Sequence, residues 1–157
     1  MTGNIYQTPE SDVSLNEAYK GSPLKAILIG SSVDIFGTLI FGVLYGVGYA
    51  VFLAANGMSA EEIGARFVNI DTYSFFSMLG MVIGLLISVF AGYLCAKSVN
   101  YNEYKTVSVV AVIAVIFGLL ISASEYSLIE NIVFNTLTFL SLYLGAWLHV
   151  RSKAPRG

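Results

Sequence analysis

The sequence predicts an all-α, polytopic membrane protein with four transmembrane helices in an antiparallel bundle and both termini cytoplasmic. Three observations carry that expectation. Four apolar runs, at 26–55, 73–96, 106–124 and 131–148, are each at least about 18 residues long, enough to cross a bilayer as a helix. Charged residues make up 11% of the 157 and hydrophobic ones 56%, where a soluble domain has roughly a quarter charged. Seven of the eight Lys and Arg residues fall on one side of the runs, which is the positive-inside pattern.

The first 22 residues form a polar, net acidic stretch without helical periodicity and are read as a flexible cytoplasmic tail. No cleavable signal peptide is expected, because the first apolar run is too long for a signal h-region. Ser22 suits an N-cap and Pro23 the first helical position, where no amide partner is lost. The first span then runs over about 24–55 and stops at Asn56-Gly57. At 1.5 Å per residue it measures roughly 48 Å against a core of about 30 Å, so it tilts or protrudes.

Between the first two spans, Ser59-Ala60-Glu61-Glu62 fits a capping box, with Met58 and Ile63 placed for a hydrophobic staple. A short helix at about 59–68 is expected on the outer membrane surface, with Ile63 and Phe67 on one face and Glu61, Glu62 and Arg66 toward water; an irregular loop is the alternative. The second span covers about 73–97 and the third about 105–124, and their short polar link makes them antiparallel neighbours. Ser127-Leu128-Ile129-Glu130 gives a second capping box, opening the fourth span at about 128–150. Residues 151–157 form a basic cytoplasmic tail. One transmembrane domain, 23–150, is thus the whole architecture, and no soluble catalytic domain fits beside it.

Orientation follows from charge. Lys20, Lys25, Lys97, Lys105, Arg151, Lys153 and Arg156 lie on the side of the termini, and only Arg66 lies opposite. Glu61, Glu62, Asp71, Glu125 and Glu130 make the outer face acidic. Tyr93, Tyr101, Tyr104, Tyr143 and Trp147 mark the inner interface; Tyr73, Phe75, Phe76 and Tyr126 mark the outer one.

Small residues recur every fourth position on two spans. The first carries Gly30, Asp34, Thr38, Gly42, Gly46, Ala50 and Ala54; the second carries Gly80, Gly84, Ser88, Gly92 and Ala96. In lipid, where burying Leu against Leu gains little, close backbone approach along such stripes drives association. The first two spans are therefore expected to pack along them, within one chain or between copies. A weaker stripe, Ala111, Ala114, Gly118 and Ser122, marks the third span. These glycines lie inside apolar helix and follow no strand, so they form no nucleotide loop.

Asp34 breaks the first run and lies on its small-residue stripe. It is about nine residues, some 13 Å, beyond Lys25 along a straight helix. A charge at mid-bilayer costs about 3 kcal/mol on insertion scales. Asp34 is thus a candidate proton or cation site, a structural hydrogen-bonding residue or ion-pair partner, or an interfacial residue. Its candidate partners are on the fourth span, where Asn131, Asn135, Thr138, Gly145 and His149 recur near one face. Asn135 and Thr138 can hydrogen-bond across helices, and His149 could pair with Asp34 or face the headgroups beside Arg151.

The lone cysteine, Cys95, excludes an intrachain disulfide and reads as a small packing residue, with palmitoylation or redox chemistry the alternative. A single histidine offers no histidine metal cluster, and the loop carboxylates have no catalytic spacing. No cofactor and no metal site are expected. No basic stripe calls for nucleic acid.

The segment Asn4-Ile5-Tyr6-Gln7-Thr8-Pro9-Glu10-Ser11-Asp12 resembles the Asn-Pro-Tyr-x-x-Pro leader of small, uncharacterised bacterial inner-membrane proteins, with Ile5 where that leader has Pro. The resemblance covers about ten residues; it implies a bacterial inner membrane and no activity. The leading expectation is a non-enzymatic membrane protein acting through helix contacts: an accessory subunit, an assembly factor or a toxin-immunity protein. Its partners would be the bilayer and either another membrane protein or further copies of itself. The alternative is a small oligomeric channel or transporter using Asp34 for protons or cations; an intramembrane enzyme ranks third.

Overall fold

The structure, a computed structural model, describes residues 21–99, 101–122 and 126–153. These residues form five helices: α1 (Pro23–Ala55), α2 (Ala60–Val68), α3 (Phe75–Lys97), α4 (Glu103–Ser122) and α5 (Leu128–Lys153). Among the described residues there is no strand. All but α2 are long and apolar enough to cross a membrane. The leader resemblance at 4–12, most of the tail at 1–22, Glu125 and the end of the basic tail lie outside the described residues.

Local chemistry sets the helix ends. The Ser22 side chain accepts the Lys25 amide at 3.5 Å, and Pro23 opens α1. The helix stops where Asn56 donates its backbone N–H to Phe52 and Leu53 carbonyls and Gly57 takes a left-handed φ of +87°, which suits glycine. Both capping boxes form. Ser59 Oγ accepts the Glu62 amide at 3.3 Å while Glu62 Oε2 accepts the Ser59 amide at 2.8 Å. Ser127 and Glu130 repeat the arrangement at 3.3 and 2.9 Å. The bonds from Ser59 hold the Glu62 carboxyl below its ordinary pKa.

Pairwise contacts give the helix directions. Gly30 faces Cys95, Asp34 bonds Ser88 and Tyr45 stacks on Phe76, so α1 and α3 run antiparallel. Gly118 faces Asn135, Ser108 bonds Tyr143 and Lys153 pairs with Glu103 at 3.2 Å, so α4 and α5 do as well. Along α3 and α5, Val89 meets Gly145 and Tyr93 meets His149, a parallel register.

The core is concentrated at the end that carries Pro23, Lys97 and Lys153. Ala26, Ala91, Cys95, Ala96, Val99, Val107, Val110, Ala111, Leu142 and Ala146 are buried there, mostly small side chains that let four helices converge. The opposite end is held differently. A chain of rings runs Phe41–Tyr45–Phe76–Tyr49–Phe67, with centroids 5.3, 4.3, 3.9 and 5.8 Å apart, and ties α1, α3 and α2 together. Tyr45 also donates its hydroxyl to the Phe76 carbonyl at 3.0 Å. Between the packed end and the ringed end the helices leave space.

The outer surfaces of the long helices are apolar. Phe36, Ile40, Val43, Leu44 and Val47 on α1 are each 57% exposed or more. A continuous apolar face of this extent is unsuited to water and suited to hydrocarbon.

Candidate functional site

The space between the two ends is a cavity of about 310 Å³ bounded by α1, α3, α4 and α5. Asp34 lines it from α1, and Ser88 from α3; each is nearly buried, at 6% and 4% exposure. Ser88 Oγ donates to Asp34 Oδ1 at 2.6 Å, the short distance expected for a charge-assisted bond. Two small residues one turn either side let α1 and α3 come close enough for it. A Cβ at Gly30 would lie 2.9 Å from the Cys95 Cβ, and one at Gly37 would lie 3.0 Å from the Ile87 side chain.

Most of the wall is hydrocarbon: Ile35, Leu39, Met81, Leu85, Ala114, Phe117, Ile121, Phe134 and Leu137. The polar groups besides Asp34 and Ser88 are Thr38, Tyr126, Asn135 and Thr138. Thr138 donates its hydroxyl to the Phe134 carbonyl at 3.0 Å, and Asn135 donates from Nδ2 to the Asn131 carbonyl at 2.7 Å. With the threonine's only donor turned to its own helix, that side chain offers a guest an oxygen acceptor. Among the described residues no Lys, Arg or His lines the cavity. A carboxylate in an acceptor-lined, largely apolar space lacks a permanent positive partner. Chemically it suits a proton or a cation.

The residues singled out from sequence separate into four groups. Asp34, Thr38, Gly84, Ser88, Asn135 and Thr138 converge on the cavity. Gly30 and Gly80 make helix contacts, Gly30 with Cys95 and Val110 and Gly80 with Tyr45. Among the described residues Gly42 and Gly46 face no neighbour; a Cβ at either meets nothing within 4 Å. Gly92 faces α5, and its Cβ position is occupied by the Leu142 carbonyl of that helix.

Two expectations are therefore corrected. The small-residue stripe of the second span does not run along the first span for its whole length. An i, i+4 row drifts around the helix, so Ser88 faces α1 while Gly92, one turn on, faces α5. The tightest backbone approach is instead between α3 and α5, where a Cβ at Gly145 would collide with the Val89 carbonyl and lie 2.7 Å from the Tyr93 amide nitrogen. Neither alternative for His149 holds: it does not pair with Asp34, which bonds Ser88, and it is buried rather than turned outward beside Arg151. His149 is buried near the C-terminal end of α5, edge-on to the Tyr93 ring at 5.3 Å, and among the described residues neither of its nitrogens has a hydrogen-bond partner.

Sequence reasoning missed the aromatic contributors. Tyr126 and Phe134 meet edge-on at 5.2 Å and line the cavity with Phe117. Hydropathy reads Phe117 and Phe134 as apolar bulk and Tyr126 as an interface residue, so nothing in the sequence joined them to Asn135. Among the described residues no three of His, Cys, Asp and Glu are grouped as metal ligands. Compared with known proteins, the chain matches no family model, no curated protein and no solved structure.

Proposed function

We propose that the chain is an antiparallel four-helix transmembrane bundle in a bacterial inner membrane, both termini cytoplasmic, that takes a proton or cation at Asp34 as a small channel or transporter. The orientation rests on the seven-to-one split of Lys and Arg. The function rests on one observation. The Asp34 carboxylate has Ser88 as its hydrogen-bond partner and faces a cavity bounded by all four long helices, with no basic side chain on its wall among the described residues. An ionised group at that depth costs about 3 kcal/mol on insertion scales. One hydrogen bond to a charged group returns about 1.5–3 kcal/mol. The remaining cost is removed by protonation or by a positive guest. Four helices enclose little of a pore, so the working unit is an oligomer.

A second reading, an accessory subunit, assembly factor or immunity protein acting through helix contacts, is favoured by Gly42 and Gly46. They place two open glycines one turn apart on the lipid-facing half of α1. Reconstitution separates the two. Proton or cation flux into liposomes that is lost in Asp34→Asn supports the first; no flux, with a membrane-protein partner recovered after mild extraction, sinks it and supports the second.

A further inference from the structure

We infer that the guest of the Asp34 cavity is an organic monocation, an amine or quaternary ammonium carried on an apolar body, in preference to a bare alkali or alkaline-earth ion. This rests on the reading of Asp34 as a cation site and names the class of cation.

Charge sets the first limit. The cavity has one carboxylate and, among the described residues, no basic side chain, so a guest with one positive charge balances it. Coordination sets the second. A bare hard cation exchanges its hydration shell for about six or more oxygens. Asp34, Ser88 and Thr38 supply few, and Ser88 is already committed to Asp34. Asn135 and Thr138 each keep an oxygen acceptor, but they stand on α5, which does not pack against α1, so they and Asp34 do not close together round one small ion. The wall between these groups is carbon, which suits the body of an organic guest and would strand a desolvated ion.

Size and ring chemistry agree. A space of about 310 Å³ is on the order of ten waters by liquid volume and sits at the small end of small-molecule pockets, which start near 300 Å³. Phe117, Phe134 and Tyr126 present aromatic faces or edges of the kind that hold ammonium groups. Gly84 contributes to the wall without entering the space, since a Cβ there meets nothing within 4 Å.

The test is equilibrium dialysis of radiolabelled benzyltrimethylammonium against the full chain in lipid nanodiscs, with empty discs subtracted. Neopentylbenzene, its neutral carbon isostere, and sodium chloride serve as competitors. Saturable binding is expected, weakened roughly tenfold or more by Asp34→Asn, as the loss of a charge-assisted contact implies. Neither neopentylbenzene nor sodium at equal concentration should displace the probe. Gly84→Leu, whose new side chain occupies the cavity with Asp34 intact, should abolish binding while the helical circular dichroism and gel-filtration profile stay as in the parent. This variant keeps the test decisive if Asp34→Asn fails to fold. Absence of saturable binding, unchanged binding in Gly84→Leu, or equal displacement by sodium overturns the inference. If proton or sodium flux still depends on Asp34 while the organic probe does not bind, only the guest class is wrong. If no Asp34-dependent binding or flux of any cation appears, the cation-site reading falls with it.

Discussion

Replacing Gly145 with alanine is the sharpest probe of how this chain packs. The added Cβ would overlap the Val89 carbonyl and lie 2.7 Å from the Tyr93 nitrogen and 2.9 Å from the Val89 carbonyl carbon. These are backbone atoms of a neighbouring helix, so no side chain can rotate aside. Bringing the Tyr93 contact alone from 2.7 to the ordinary 3.4 Å needs α3 and α5 to part by about 0.7 Å, and the carbonyl overlap asks for more. A radial gap of 0.5–1 Å forfeits roughly a quarter to a half of each dispersion well along the seam. Ala91, Cys95, Leu142 and Ala146 lie in the same buried cluster. The expected cost is at the top of the overpacking range, about 3 kcal/mol, or roughly a hundredfold in the folding equilibrium at about 1.4 kcal/mol per decade. Reversible unfolding in mixed dodecylmaltoside–dodecylsulfate micelles, followed by helical circular dichroism, measures it. Gly42→Ala is the control: its Cβ meets nothing, so it should be neutral, or stabilising by up to about 1 kcal/mol through helix propensity. A Gly145→Ala protein within about 0.5 kcal/mol of the parent, the scatter of innocuous surface changes, would refute the close α3–α5 seam.

Ser88→Ala should destabilise the fold by about 1.5–3 kcal/mol where Asp34 is ionised and leave helix content intact; the same micelle titration reads it. Acidification should fray α2: the Glu62 pKa is held below 4.5 in the folded chain by Ser59, so its contribution to the capping box is complete above that value and is lost as pH falls through the lower folded value. Amide exchange at the Glu62 and Ser59 N–H groups follows it, and protection unchanged down to pH 2 would count against the box. His149→Leu should be neutral or stabilising, because both ring nitrogens are buried without a partner and an apolar side chain removes that penalty; a loss above about 2 kcal/mol would mean that His149 has a polar role. Glu103→Gln should cost less than about 1 kcal/mol, since its pair with Lys153 is partly exposed.

Much of the architecture was legible because lipid leaves few options. Long, predominantly apolar runs must be helices that satisfy their own backbone, and Ser-x-x-Glu at 59–62 and 127–130 announced two helix starts that the structure builds. Asp34, Asn135 and Thr138 stood out as polar groups in apolar runs, and the three share one cavity. Partnership was harder to read. Ser88 appeared as one more small residue of a stripe, and nothing in a linear sequence distinguishes the turn that faces α1 from the next turn, where Gly92 faces α5. The α3–α5 seam escaped for the same reason: Gly145 reads as one member of the fourth span's polar face, and only the crossing point brings it against Val89. The ring chain from Phe41 to Phe67 joins residues that look like interface anchors or lipid-facing bulk when read singly.

The most direct test of Asp34 as the functional centre is cation and proton flux in proteoliposomes of the parent and Asp34→Asn, each first shown to be folded by circular dichroism. The account predicts flux above protein-free liposomes for the parent and background for the variant. Equal flux from the two would contradict it.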